Sequence, residues 1–236
     1  MCVVALARHV HPDWPLILIG NRDEFHARPA APLAAWDDGS GIVAGRDLQA
    51  GGTWLGLHQP SGRLLVVTNV RGGPSDPGPD PAKESRGALV VDMLRGDGRF
   101  PAPAADDLDR FNAFNLFAVN GRDAQLLTNR PHGRIAPLNM GVHALANEPA
   151  DRPCARAGRL GAVLEAAART GGNPMDLLDR LGVEDDPALF LRGDIYGTRA
   201  STLVAVATNG SVHMVERRYE AGGRPAGTTA LQFRIG

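Results

Sequence analysis

The chain is short of the features that announce most ligand classes. It has two cysteines, Cys2 and Cys154, in 236 residues, and their isolation excludes a disulfide framework or a Cys-rich zinc site while fitting a reducing compartment. Charge of one sign is also missing: 25 basic residues face 26 acidic ones, which leaves no electrostatic footprint for nucleic acid or an anionic membrane. Apolar runs near the start, such as 16–19, fall far short of a signal-peptide core or a spanning helix. The expectation is a soluble, cytoplasmic protein with no nucleic-acid partner and no membrane insertion.

Several motifs are absent as well. There is no Gly-x-x-x-x-Gly-Lys phosphate loop, and Gly39, Gly41 and Gly45 miss the dinucleotide spacing by one residue. No Gly-x-Ser-x-Gly elbow and no His-Glu-x-x-His anchor a serine hydrolase or a zinc protease. No metal centre is expected. Covalent haem attachment lacks its Cys-x-x-Cys-His, although that leaves non-covalent ligation by a lone His or Cys open. No internal repeat is visible, and the length suits one domain over 1–236.

What is plentiful is glycine and proline, 29 and 18 residues, clustered between apolar runs as in a loop-rich globular chain. The densest cluster, 71–81, can be neither helix nor central strand; it is placed either to cover a pocket or to serve as an inert connection. Periodicity and turn signals predict strands at 3–7, 16–19, 53–57, 63–70, 114–120, 124–129, 140–147, 201–208, 211–219 and 229–235. Asn120-Gly121 and Asn209-Gly210 mark tight hairpins. Helices are predicted at 85–95, 154–169 and 174–181, the last with Asn173 as cap and Pro174 at its first position. Strands, helix, strands, helices, strands in that order give an α+β protein. Two antiparallel sheets stacked between helical layers, a four-layer αββα sandwich, use the strands best; one sheet with helices on one side is the fallback.

Cys2 stands directly behind a methionine that is removed readily when the next residue is small. The mature chain would then begin with a thiol and a free α-amine on one residue, with unperturbed pKa values of about 8.5 and about 8, so the amine can take the thiol's proton. The second strand runs into Asn21-Arg22-Asp23-Glu24. A hairpin centred on Asp13 sets Glu24 opposite Cys2 and Arg22 opposite Val4, with Asn21 and Asp23 on the other face; a one-residue bulge exchanges the faces. Carboxylates and a guanidinium thus come within reach of the thiol.

Met1-Cys2, Asn21-Arg22-Asp23-Glu24, Gly51-Gly52-Thr53-Trp54-Leu55-Gly56, Thr68-Asn69-Val70-Arg71, Ser85-Arg86-Gly87, Phe114-Asn115-Leu116 and Tyr196-Gly197-Thr198-Arg199 occur in that order. Together they resemble the NRDE family, also called the transport and Golgi organisation protein 2 family. The resemblance implies a fold like that of the N-terminal nucleophile hydrolases and a role linked either to haem trafficking or to lipid and acyl-CoA homeostasis. A more distant similarity to choloylglycine hydrolases and penicillin acylases implies Cys2 as nucleophile, Arg22 and Asp23 as its orienting pair, Asn147 as an oxyanion donor and Arg199 as the late arginine of the pocket. In those hydrolases Arg and Asp stand three apart with Asn between, whereas Arg22 and Asp23 are adjacent and point to opposite faces of a regular strand, so one of them is structural. Asn21, Glu24, Asn69 and Arg71 complete the site as ligand-binding candidates. The resulting expectation is hydrolysis or transfer of an acyl group from a small amide or thioester with no cofactor. Its alternative is a carrier or chaperone for haem or another hydrophobic cofactor. Oligomeric state is not specified.

Overall fold

A computed structural model describes residues 2–71 and 78–236. The strands in chain order are β1 (Cys2–Arg8), β2 (Leu16–Phe25), β3 (Ala30–Ala35), β4 (Ile42–Asp47), β5 (Leu55–His58), β6 (Arg63–Asn69), β7 (Phe114–Asn120), β8 (Asp123–Thr128), β9 (Arg134–Pro137), β10 (Gly141–Leu145), β11 (Tyr196–Val206), β12 (Ser211–Tyr219) and β13 (Pro225–Arg234). The helices are α1 (Arg86–Arg95), α2 (Ala155–Thr170) and α3 (Leu177–Arg180). The chain divides into two compact units, and each is built on one antiparallel sheet. The α+β class and the two sheets expected from the sequence are what the structure contains.

The first unit comprises 1–28, 139–146 and 153–235. Its sheet has the order β10-β1-β2-β11-β12-β13. Side chains alternate along a strand, so Val3, Ala5, Ala7, Ile17 and Ile19 pack with Leu160, Leu164 and Ala168 of α2, while Val4, Leu6 and Leu18 are buried on the opposite face. Each buried Leu, Ile or Val contributes roughly 1.5–3 kcal/mol. Helix α2 stops at Gly171, whose left-handed φ of 67° lets its N–H reach the carbonyls of Ala167 and Ala168. Over 174–181 the chain forms a 3-10 turn, Pro174–Asp176, capped by Asn173, and then only the short α3.

The β1–β2 turn decides what faces Cys2. His9 adopts a φ of 54°, and its N–H reaches the Pro15 carbonyl at 2.8 Å. The His11 Nδ1 accepts the N–H groups of Asp13 and Trp14 at 3.1 and 3.2 Å. This leaves Nε2 to donate to the Gly172 carbonyl at 3.0 Å. These bonds centre the turn on Pro12 and not on Asp13, so the register is two residues from the expected one: Cys2 lies opposite Arg22, and Val4 opposite Gly20. The faces are as expected. Gly20 has no substitute here, because a Cβ would stand 2.7 Å from Val4 Cγ1 and 2.8 Å from the Val3 carbonyl oxygen.

The second unit comprises 29–138, 147–152 and Gly236, and its seven strands follow chain order from β3 to β9. Leu89, Val90 and Leu94 of α1 pack on Leu65, Val67 and Leu116. The Ser85 side chain caps α1 by accepting from the Ala88 N–H. A Cβ on Gly52 would stand 2.4 Å from the Gly87 carbonyl carbon, so the strings around Gly52 and Ser85-Arg86-Gly87 are two sides of one backbone contact. The Asn120-Gly121 hairpin joins β7 to β8, and Asn209-Gly210 turns β11 into β12 in the first unit. Strands β3, β4 and β9 add to those expected. The middle of the Pro/Gly cluster, 72–77, lies outside the described residues.

Candidate functional site

Cys2 opens β1, is 8% exposed, and shares the face of the first sheet that carries Arg22 and Glu24. Burial pushes its thiol up, opposed by the positive amino terminus; the Asp23 carboxylate raises it further, while Arg22 and a hydrogen bond from the Asp23 backbone lower it. The buried thiol is therefore protonated at neutral pH and needs a base to become a nucleophile. Arg22 lies 3.7 Å from the Glu24 carboxylate, and Arg28 lies 4.0 Å from it. The Glu24 side chain also accepts the Phe25 N–H at 2.9 Å.

The alternate residues face α2 and are tied down by close contacts. Asn21 is completely buried. Its Nδ2 donates to the carbonyls of Leu181 and Leu189 at 2.9 and 2.8 Å, and its Oδ1 accepts the Ser201 hydroxyl at 2.6 Å. Both N–H groups and the oxygen of this amide are engaged, so Asn21 ties β2 to β11 and to the segment 181–189. The Asp23 carboxylate meets Arg156 of α2 at 2.7 Å and accepts the Thr198 hydroxyl at 2.7 Å. Burial pushes its carboxyl up; Arg156 and Thr198 pull it down. Arg156 in turn donates to the carbonyls of Ala188 and Leu189 at 2.9 and 2.6 Å, and Thr198 accepts the Leu191 N–H at 2.8 Å. One network thus links the end of β2, the start of α2 and the segment 181–191.

Arg156 is the member that sequence reasoning missed. It belongs to no motif and lies far along the chain from Asp23, so no local pattern marks it. Thr198 was inside a family string but without a role.

Arg199 is the extra residue at the bulge in the β2–β11 pairing, between Thr198 and Ala200. It does not pair with Asp23. Its Nη1 donates to three carbonyls of the segment following β2, those of Phe25, His26 and Arg28, at 3.0, 2.9 and 3.0 Å. Burial lowers its pKa, Arg22 adds to this and Glu24 opposes it, so Arg199 shares its surroundings with both.

Asn69, Arg71 and Asn147 belong to the second unit. The Asn147 Nδ2 donates to the Asn69 carbonyl at 2.6 Å, and the Arg71 N–H donates to the Asn147 carbonyl at 2.8 Å. The Asn115 Nδ2 anchors the next residue through the Glu148 carbonyl at 2.8 Å. The structure therefore forms two groups from the expected residues: Cys2, Arg22, Glu24 and Arg199 on the first unit, with Asn21 and Asp23 behind them, and Asn69, Arg71 and Asn147 on the second. Among the described residues no group of three or more His, Cys, Asp or Glu side chains gathers as a metal site. No helix among them is long and apolar enough to cross a membrane.

Comparison with known proteins agrees with this geometry. The chain shares its fold with a Caenorhabditis elegans N-acylethanolamine-hydrolyzing acid amidase ortholog, at a TM-score of 0.54 and 10% identity over 86% of this chain and 92% of that one. This likeness is one of fold, that of an N-terminal nucleophile hydrolase. Human and mouse transport and Golgi organization 2 homologs are each 28% identical to it over 92% of both chains. A Drosophila melanogaster transport and Golgi organization protein 2 is 30% identical over 56% of this chain and 52% of its own length. The model of the family described as transport and Golgi organisation 2 matches residues 1–182. The chain belongs to the transport and Golgi organisation 2 family.

Proposed function

We propose that this protein is a cysteine amidohydrolase or thioesterase in which Cys2, freed by removal of Met1, attacks the carbonyl of a small amide or thioester. The observation that carries this is the position of Cys2: it opens the first strand of a fold shared with an amide-hydrolysing enzyme, faces Arg22 across the sheet and is held by the Asp23 backbone. Because burial keeps the thiol protonated, the reaction needs a base at hand, and the α-amine of a processed Cys2 is that base. The amine takes the proton, the sulfur adds to the carbonyl carbon, and collapse expels the amine or thiol of the substrate, which receives that proton. Water then cleaves the acyl-sulfur bond and restores the thiol. Arg22, on the same face, favours the thiolate and the oxyanion electrostatically. Asp23 orients the site through its backbone while Arg156 and Thr198 hold its carboxylate.

The test is hydrolysis of short acyl thioesters and N-acyl amides by protein whose intact mass shows that Met1 is gone. Turnover that disappears in Cys2→Ala supports the proposal. Full turnover in Cys2→Ala, or in protein retaining Met1, overturns it. Saturable haem binding by a protein without turnover would instead identify a carrier of haem or another hydrophobic cofactor.

A further inference from the structure

Arg199 shows an asymmetry that its place in the sheet does not require. Its Nη1 is consumed by the three carbonyls of Phe25, His26 and Arg28, yet its Nε is buried and finds no hydrogen-bond acceptor among the described residues. Leaving a charged N–H buried and unsatisfied is costly unless something binds it. The fixed end sets the direction of the unsatisfied one. A guanidinium anchored through one nitrogen cannot swing, so its Nε–Nη2 edge is presented in a set direction, and that edge is one of the two that bind carboxylate or phosphate through parallel hydrogen bonds. A bulge in β11 places this residue outside the regular alternation of the strand, beside the end of β2 that bears Cys2's partner Arg22 and its ion-pair partner Glu24.

We propose that the anchored guanidinium of Arg199 forms an oxyanion-binding subsite, and that the acyl substrate carries a carboxylate or phosphate which docks there. The subsite has a built-in antagonist. Glu24 lies among these arginines and disfavours an incoming anion, so the affinity for a small anion is set by the balance between Arg199 and Glu24 and rises when the Glu24 charge is removed. The substrate assignment rests on the hydrolase proposal, but the subsite itself does not, because a protein without the Cys2 thiol retains every group in it.

The experiment uses the full chain as Cys2→Ala, titrated with inorganic phosphate, and separately with acetate, at low ionic strength by calorimetry. Expected are saturable binding of at least one of the two anions, weakening of about tenfold or more in Arg199→Lys, which keeps the charge but loses the fork, and tighter binding in Glu24→Gln. The tighter of the two anions identifies the substrate group. Absence of saturable binding by both anions overturns the proposal, as does unchanged affinity in a folded Arg199→Lys. Should Arg199→Lys fail to fold, Glu24→Gln decides: unchanged or weaker binding there also overturns it. Failure of hydrolysis with anion binding intact would count against the hydrolase and leave the subsite standing.

Discussion

The two faces of β2 at its final residues hold their polar groups in different ways. Toward α2, Asn21 and Asp23 are buried and held by contacts of 2.6 to 2.9 Å, the one between Asp23 Oδ2 and Arg156 Nη1 being an ion pair outside hydrogen-bond geometry. On the Cys2 side, Arg22 and Arg28 approach Glu24 only at 3.7 and 4.0 Å, and Arg199 leaves its Nε unsatisfied. The strand alternation therefore separates two duties within one tetrapeptide. The even-numbered residues share the face of Cys2, and the odd-numbered ones tie the strand to α2 and the segment 181–191. This also resolves the adjacency of Arg22 and Asp23: the arginine shares the thiol's face, while the aspartate acts on it through its backbone and its charge.

Substitutions that act on one face only would sharpen this contrast. The largest effect is expected for Cys2→Ala, which should lower acyl hydrolysis by at least ~10³-fold, as loss of a nucleophile does, with stability nearly unchanged; equal turnover would remove the chemical face from the account. Next, Arg156→Met leaves the buried Asp23 carboxylate without its cation and should cost about 3 kcal/mol in urea unfolding. The double variant Arg156→Met/Asp23→Asn should lose less than the sum of the two single losses, and strict additivity would mean that the pair is not coupled. Asn21→Ala strands the carbonyls of Leu181 and Leu189 and the Ser201 hydroxyl, and should cost about 2 kcal/mol; anion binding at Arg199 should not change.

The smallest effect concerns pH. Burial raises the Cys2 thiol, so the folded protein retains a proton that the unfolded chain releases above about pH 8.5. Stability should therefore fall as pH rises from that value, by at most about 1.4 kcal/mol per pH unit. Denaturation of the parent and of Cys2→Ala across this range isolates the contribution. A parent curve parallel to that of the variant would show that the thiol is not held protonated by the fold.

The legible parts of this molecule were those written in local chemistry. Asn120-Gly121 and Asn209-Gly210 disclose their hairpins because the left-handed φ of Gly121 and Gly210, 59° and 80°, suits glycine. Cys2 and the charged end of β2 could be brought to one strand pair from spacing alone. Strand β3 was hidden because Ala30-Ala31-Pro32-Leu33-Ala34-Ala35 lacks β-branched and aromatic residues and buries only Leu33. The β1–β2 register was missed by two residues because the turn is shaped by the His11 side chain, a bonding pattern that turn composition does not show. Arg156 was illegible for a different reason. Its role depends on α2 packing against the back of β2, and only tertiary structure brings the two together.

The central claim is that the face of the first sheet opposite α2 presents, at the start of β1, a reactive N-terminal thiol. Intact-mass and peptide mass spectrometry after brief exposure of the purified protein to a slowly hydrolysed acyl thioester tests this directly. The account predicts a chain beginning at Cys2 and a single acyl group on its sulfur, decaying with time as water releases it. Retention of Met1 in the acylated protein, or an acyl group on Cys154 with Cys2 unmodified, would contradict it.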